Sequence, residues 1–179
     1  YTKPRGYQEG PTYVGSKLIT TYGGGVCKIA STLYNVTVLS NLKIVERHAH
    51  SMPVPYVPYG QDATVAYGAK DFKFKNTSDS QILIWAMGGD NILYIAFYGS
   101  YTPPKIEWNH NTIKIFKAPV IYKINSQLSP TEEKVILEGM DGAVVKSWIV
   151  IENEDGTNEI KQMGTSYYSP MPHIIEKGK

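Results

Sequence analysis

The amino-acid sequence predicts an α+β fold, with one main helix packed on mostly antiparallel strands and a small all-β unit after it. Its 179 residues include 16 glycines, 11 prolines and 14 tyrosines, a composition typical of strands and turns. Only one stretch, near the N-terminus, has clear helical periodicity. Short apolar segments separated by turn residues follow it, and these predict strands.

Residues 1–24 are expected to form loops and a short strand, with four residues as turn signals: Gly6, Gly10, Pro11 and Gly15. The helix is predicted over residues 27–41, because four apolar residues recur at steps of four, three and three and make one stripe: Ile29, Leu33, Val36 and Leu39. β-Branched residues lower the helix propensity of this stretch, so tertiary packing has to stabilise it.

Short strands are predicted over residues 44–50, 63–67 and 71–75. The clearest hairpin pairs Ile82–Met87 with Ile92–Tyr98 around the turn Gly88-Gly89-Asp90-Asn91. Thr102-Pro103-Pro104 is the best boundary, and it divides a unit at 1–102 from a β-rich extension at 103–179. Strands are expected in the extension over residues 113–116, 120–124, 135–137, 144–152 and 158–161.

Charge and hydropathy exclude two classes of partner. The chain has 18 basic and 16 acidic residues and no basic run, so nucleic-acid binding is not expected. No apolar run reaches the length of a membrane span. The chain starts without Met or a signal peptide, so we expect a fragment whose missing N-terminus carries any anchor.

The most informative stretch is Gly23-Gly24-Gly25-Val26-Cys27, which places the only cysteine behind three glycines and at a helix start. Unpaired N–H groups and the positive end of the helix dipole favour the thiolate, which is the nucleophilic form of cysteine. Cys27 is therefore a candidate nucleophile. The alternative is that it is a small buried hydrophobic residue.

A cysteine nucleophile needs a base and a group that orients the base. His48 and His50 share one face of the predicted strand, and Asp62 follows near the start of the next strand. Either histidine can serve as the base. His50 is favoured because it lies at a strand end, before Ser51 and several prolines. A metal site formed by Cys27, both histidines and Asp62 is the chemical alternative, although a single cysteine makes structural zinc a poor match.

Five residues around this set are candidates for contact with the substrate: Gly24, Gly25, Lys28, Arg47 and Ser51. Arg47 is expected on the strand face opposite the histidines, where a guanidinium can clamp a peptide carboxylate. A surface ion pair with a neighbour such as Glu46 is its structural alternative.

Six motifs are informative as a set: Arg5-Gly6-Tyr7, Gly23-Gly24-Gly25-Val26-Cys27, Ser31-Thr32-Leu33-Tyr34-Asn35, Glu46-Arg47-His48-Ala49-His50-Ser51, Gly60-Gln61-Asp62-Ala63-Thr64-Val65 and Asp71-Phe72-Lys73-Phe74. Together they resemble the VanW domain of Gram-positive bacteria, from residue 1 to about residue 100. The C-terminal extension, from Asp141-Gly142 to Tyr168-Ser169-Pro170-Met171-Pro172, is similar to the five-glycine module of cell-wall proteins.

The resemblance implies an extracellular peptidoglycan L,D-transpeptidase that crosslinks the third residues of two stem peptides. Cys27 would carry the acyl group, His48 or His50 would act as the base, and Asp62 would orient it. No metal or cofactor is implied, and stem peptides are the expected partners. The family usually has Gln where this chain has Lys28, a change that leaves the nucleophile intact. A non-catalytic wall-binding module and a cysteine endopeptidase or carboxypeptidase are the alternative functions.

Overall fold

The computed structural model describes residues 1–14 and 17–179. A 3-10 turn at Lys3–Arg5 leads into a hairpin of β1 (Glu9–Val14) and β2 (Lys17–Tyr22), followed by helix α1 (Val26–Leu39). The predicted α+β class and the predicted helix are confirmed. The turn signal at Gly15 lies outside the described residues.

The buried face of α1 differs from the predicted stripe. Ile29 and Leu39 are 51% and 48% exposed. The side chains that the helix buries are Ala30, Ser31, Tyr34, Thr37 and Val38. The polar members of this face are hydrogen-bonded, with Thr37 Oγ1 donating to Leu33 O at 2.7 Å. The hydropathy pattern was misleading because a satisfied hydroxyl can be buried at little cost.

Strand β3 (Lys43–Glu46) ends four residues earlier than predicted, and it pairs with β4 (Lys73–Lys75). After Glu46 the chain leaves the ladder, and the backbone N–H of His50 donates to Asp62 instead of to a strand. The predicted strand at 63–67 is also absent, apart from an isolated bridge between Ala66 and Lys70. One backbone hydrogen bond, from Thr64 N to His48 O at 2.8 Å, joins the two segments, and side chains provide their other anchors.

The predicted hairpin is confirmed. Strands β5 (Leu83–Gly89) and β6 (Ile92–Tyr98) pair antiparallel, with Gly89 opposite Ile92. The two turn residues, Asp90 and Asn91, have φ of 50° and 60°. Two positive φ values at a two-residue loop are the conformation that suits the twist of a hairpin, and Asp and Asn tolerate it.

The C-terminal part consists of six strands: β7 (Lys105–Phe116), β8 (Val120–Ile124), β9 (Glu133–Leu137), β10 (Gly142–Glu152), β11 (Asn158–Tyr168) and β12 (His173–Lys177). One sheet has the order β11-β10-β7 and is antiparallel. The other has the order β8-β12-β9, in which β12 is parallel to β8 and antiparallel to β9.

Residues from both parts of the chain share the main core. Tyr34 and Val38 of α1 pack in one cluster with Ile149 and Ile151 of β10. The Tyr34 ring meets the Trp108 ring of β7 edge to face, with centroids 5.2 Å apart. The long β7-β10-β11 sheet is therefore packed against the helix that carries Cys27. The division at residue 102 stays a prediction.

Ser31 anchors the segment at residues 61–65 to the helix. Its hydroxyl donates to Ala63 O at 3.1 Å and accepts from Ala63 N at 2.9 Å. Asn35 Nδ2 donates to Gln61 O at 2.7 Å. These bonds place Asp62 and Thr64 next to the first turn of α1.

Ser31→Ala is expected to lower the free energy of unfolding by about 1–3 kcal/mol, because it leaves the buried Ala63 N–H without its acceptor. Denaturant titration of both proteins measures the loss. Thr32→Ala is the matched control, since the Thr32 hydroxyl only bonds back to Lys28 O on the exposed side. Equal losses in the two variants would contradict the anchoring role.

Among the described residues, no helix is both long enough and apolar enough to cross a bilayer.

Candidate functional site

Cys27 lies at the second position of α1, after Gly25, whose φ of 95° forms the N-cap. Gly25 O accepts from Lys28 N and Ile29 N, and Gly23 O accepts from Val26 N. The Cys27 N–H is left without a backbone acceptor among the described residues. The thiol is half-buried, with Sγ 3.5 Å from Thr64 Oγ1 and 3.6 Å from Val65 O.

The glycines before Cys27 are explained by backbone packing. A Cβ on Gly24 would lie 2.1 Å from the carbonyl carbon of Gly10 in β1. Gly24 therefore holds the helix start against the first hairpin, and the substrate contact expected at Gly24 stays a prediction. Gly25 is exposed and has open space at its Cβ position, and contact with a substrate at Gly25 stays a prediction.

His50 and Asp62 form the central pair of the site. His50 Nδ1 lies 2.6 Å from Asp62 Oδ2, and the same oxygen accepts from His50 N at 2.7 Å. Two bonds to one oxygen fix the imidazole with Nδ1–H toward the carboxylate. Its Nε2 then faces the other way, with Tyr56 Oη at 3.3 Å.

Asp62 is 1% exposed and its carboxylate has four donors. Oδ1 accepts from Arg47 Nη2 at 2.9 Å and from the Tyr168 hydroxyl at 2.5 Å, while Oδ2 accepts both bonds from His50. Burial alone would raise the pKa of Asp62. The hydrogen bonds from His50 and Tyr168, together with the positive charge of Arg47, instead hold that pKa below its ordinary value. The carboxylate is ionised at neutral pH.

The thiol and the imidazole shift each other's pKa. Burial raises the pKa of Cys27, but the neighbouring His50 imidazole and the contact with the Thr64 hydroxyl outweigh it and lower that pKa to about 7. Burial likewise lowers the pKa of His50, but Asp62 and Cys27 outweigh it and raise that pKa to about 9. Between these two values the pair is thiolate and imidazolium, the form that activates a cysteine nucleophile.

The structure does not bring His48 to this pair. His48 Nε2 lies 3.0 Å from Glu46 Oε1, and Lys73 Nζ donates to the same carboxylate at 2.7 Å. The two histidines separate because the chain leaves the strand after Glu46. Among the described residues, no group of three or more His, Cys, Asp or Glu side chains is arranged to hold a metal ion.

The Arg47 side chain is mostly buried and makes its hydrogen bonds within the protein. Its side chain is 13% exposed. It donates to Asp62 O at 2.7 Å, to Gly60 O at 3.3 Å and to Ser166 Oγ at 2.9 Å, besides its bond to Asp62 Oδ1. Four of its five N–H donors are used within the protein, so Arg47 supports Asp62, and the peptide clamp expected at this residue stays a prediction.

Lys28 and Ser51 lie at the outer side of the site. Lys28 is exposed, with Nζ 5.6 Å from the centre of the Tyr56 ring. Ser51 is exposed, and its carbonyl accepts from Ser169 N at 2.7 Å. Either side chain can meet a ligand that approaches from solvent.

Sequence reasoning missed three contributors to the site: Thr64, Tyr56 and Tyr168. Thr64 belongs to the motif at residues 60–65 and lies two positions after Asp62. In an extended segment this spacing places both side chains on the same face. Tyr56 was only one of several tyrosines. Tyr168 carried no local signal, since it is separated from Asp62 by 106 positions.

A cavity of about 410 Å³ opens next to the segment that contacts the thiol, although Cys27, His50 and Asp62 are not among its lining residues. Val65, whose carbonyl contacts Sγ, lines it together with Tyr1, Lys70 and Asp71. Burial and then the charge of Cys27 raise the pKa of Tyr1, one of the lining residues.

The rate of alkylation at Cys27 is expected to rise with pH and to level off above about pH 7. A thiol of pKa about 7 is half thiolate there, whereas a free cysteine reaches this point about 1.5 pH units higher. Reaction with iodoacetamide from pH 5 to 10 measures the midpoint. A midpoint at the value of a free thiol would contradict the thiolate–imidazolium pair.

The fold and the site together define an α+β protein in which a helix-borne thiol, an imidazole and a buried aspartate follow one another along the chain. Residues 1–98 match the family model described as VanW like protein, and the chain belongs to this family.

Two relatives agree with this assignment. The chain is 41% identical over 99 residues to the uncharacterized protein YoaR of Bacillus subtilis (strain 168), covering 55% of this chain and 33% of YoaR. It is 34% identical over 84 residues to the vancomycin B-type resistance protein VanW of Enterococcus faecalis (strain ATCC 700802 / V583), covering 44% of this chain and 30% of that protein. The chain thus spans about a third of the length of these relatives.

A solved G5 domain of an IgA1 protease is also similar, with 24% identity and a TM-score of 0.27 over 45% of this chain and 98% of that domain.

Proposed function

We propose that the protein is a cysteine acyl-transferase of the cell wall, an L,D-transpeptidase that acts on peptidoglycan stem peptides. The observation that carries the proposal is the His50–Asp62 pair, 2.6 Å apart and next to a half-buried thiol whose pKa is lowered to about 7. A module that only bound peptide or glycan would not need a buried charge that keeps an imidazole protonated beside a thiol.

Family membership supports the cell-wall assignment, because a relative is named for resistance to vancomycin, an antibiotic directed at the wall. A wall enzyme acts outside the membrane, so the proposed location is extracellular. The stem peptide as substrate and the crosslink as product belong to the proposal.

In the first step the Cys27 thiolate attacks the carbonyl carbon of the third residue of a donor tetrapeptide. The Cys27 N–H, which has no backbone acceptor among the described residues, donates to the oxyanion at the helix start. The carbon–nitrogen bond then breaks, and the imidazolium of His50 gives its proton to the departing amine of the terminal D-residue. A thioester on Cys27 remains.

In the second step the side-chain amine of an acceptor stem attacks the thioester carbonyl. His50, now neutral, takes the amine proton while Asp62 stabilises the resulting charge. The carbon–sulfur bond breaks, so the Cys27 thiolate is restored and a peptide crosslink forms. Water in place of the amine would give hydrolysis by the same intermediate.

The cavity that Val65 lines is the proposed site for the donor peptide, because the Val65 carbonyl contacts the sulfur. Its volume of about 410 Å³ suits a few residues of an extended peptide rather than a whole glycan strand. Its lining carries both charge signs, with Lys70 and Lys73 beside Glu46 and Asp71. A stem peptide also carries both carboxylates and amines.

The test is incubation of the protein with purified disaccharide tetrapeptides, followed by mass analysis of the products. The proposal predicts a crosslinked dimer that has lost one terminal D-residue. Tripeptide without dimer would replace the transferase by a carboxypeptidase of the same site. Unchanged tetrapeptide would reject acyl transfer on this substrate.

A further inference from the structure

The carboxylate of Asp62 is held by strand β11, which lies outside the matched residues 1–98. The Tyr168 hydroxyl at the end of this strand donates to Asp62 Oδ1 at 2.5 Å. Two positions earlier, Ser166 Oγ accepts from Arg47 Nη1 at 2.9 Å, and Arg47 holds the same carboxylate oxygen. One face of β11 thus supports Asp62 both directly and through the guanidinium.

This support is rigid and dry. Tyr168 and Ser166 are 1% and 3% exposed. Tyr168 packs with Ala143 and Val145 of β10, and its hydroxyl also accepts from Gly60 N at 2.8 Å. The hydroxyl therefore fixes both the carboxylate and the turn that leads to it.

We propose that Tyr168 is a positioning residue for acyl transfer, and that strand β11 completes the reactive array of the family-matched part. Its hydroxyl fixes Oδ1 of Asp62, so that Oδ2 stays aimed at His50. Tyr168 bonds Oδ1 of Asp62 while His50 bonds Oδ2, so Tyr168 acts on the imidazole through the aspartate. The expected effect of Tyr168 on the rate of acyl transfer rests on the proposed function.

The test compares Tyr168→Phe with Tyr167→Phe in the full chain. Both remove one hydroxyl from the same strand, but Tyr167 is 56% exposed and packs its ring against Phe116. Without the Tyr168 hydroxyl only Arg47 holds Oδ1, so the carboxylate is less firmly oriented, which weakens its bond to the imidazolium and hence the thiolate. We expect Tyr168→Phe to move the alkylation midpoint at Cys27 upward by at least about half a pH unit and to slow acyl transfer about tenfold.

Tyr167→Phe is expected to match the wild type in both measurements. A wild-type or lowered midpoint in Tyr168→Phe would overturn the proposal, as would equal shifts in the two variants. If Tyr168→Phe yields too little folded protein, Ser166→Ala removes the acceptor of Arg47 and should shift the midpoint in the same direction by less; no shift would overturn the proposal. A shifted midpoint in a protein without transferase activity would reject the proposed function and retain the positioning role.

Discussion

Replacement of Cys27 by alanine is expected to abolish product formation from tetrapeptides, with a loss of at least about a thousandfold. The physical reason is that Cys27 supplies the electron pair that forms the acyl–enzyme bond, and the chain has no second cysteine to replace it. Product analysis by mass spectrometry after equal incubation of the two proteins measures the loss.

Cys27→Ser is the matched control for this experiment. It keeps a side chain of similar size with an oxygen at the position of the sulfur, but a hydroxyl is not ionised near neutral pH. Both variants should keep the thermal midpoint of the wild type within a few degrees, since the thiol is only half-buried. Either variant retaining wild-type product would remove Cys27 from the reaction.

Replacement of His50 by glutamine is expected to raise the alkylation midpoint of Cys27 from about pH 7 toward that of a free thiol. It should slow acyl transfer roughly a hundredfold or more, because both the thiolate partner and the proton donor are lost. Burial would then dominate the pKa of the thiol, and burial raises it. Alkylation from pH 5 to 10 and initial rates of product formation measure the two effects.

His48→Gln is the matched control, because it removes an imidazole two positions away that pairs with the partly exposed Glu46. It should leave the midpoint and the rate within about twofold of the wild type. If His48→Gln were the damaging variant and His50→Gln the neutral one, the assignment of the base would be reversed.

The pH dependence of acyl transfer distinguishes this account from a simple thiolate mechanism. The rate should rise through about pH 7 as Cys27 ionises and fall above about pH 9 as His50 loses its proton. The sign of the upper limb follows from the need for imidazolium as the acid toward the departing amine. Alkylation, which needs no acid, should stay level over the upper limb.

Local chemistry explains which parts of the fold could be predicted from the sequence. The turn at Asp90-Asn91 was predictable, since both residues tolerate positive φ between two alternating apolar segments. The place of Cys27 at a helix start was predictable from the glycines before it. The structural reason for these glycines was not predictable, because the close contact of Gly24 with Gly10 joins two separate elements.

The choice between the histidines depended on tertiary structure. A regular strand would put His48 and His50 on one face, but the chain leaves β3 at Glu46 and turns His50 toward Asp62. The carboxylate that causes this is 12 positions away. No local periodicity contains that information.

Support of the aspartate by β11 was beyond sequence reasoning for a similar reason. Arg47 has the residue type of a surface clamp, and only the fold shows that its donors are used by Asp62, Gly60 and Ser166. Tyr168 follows another tyrosine, and nothing in the sequence distinguishes the buried ring from the exposed one.

The central claim is that Cys27 forms a covalent bond with a stem peptide. The most direct measurement is the intact mass of the protein, quenched in acid shortly after mixing with disaccharide tetrapeptide, followed by peptide mapping. The account predicts an adduct equal to the donor minus its terminal D-residue, located on Cys27 and absent from Cys27→Ala. An unmodified protein that nevertheless converts the donor, or an adduct on any other residue, would contradict it.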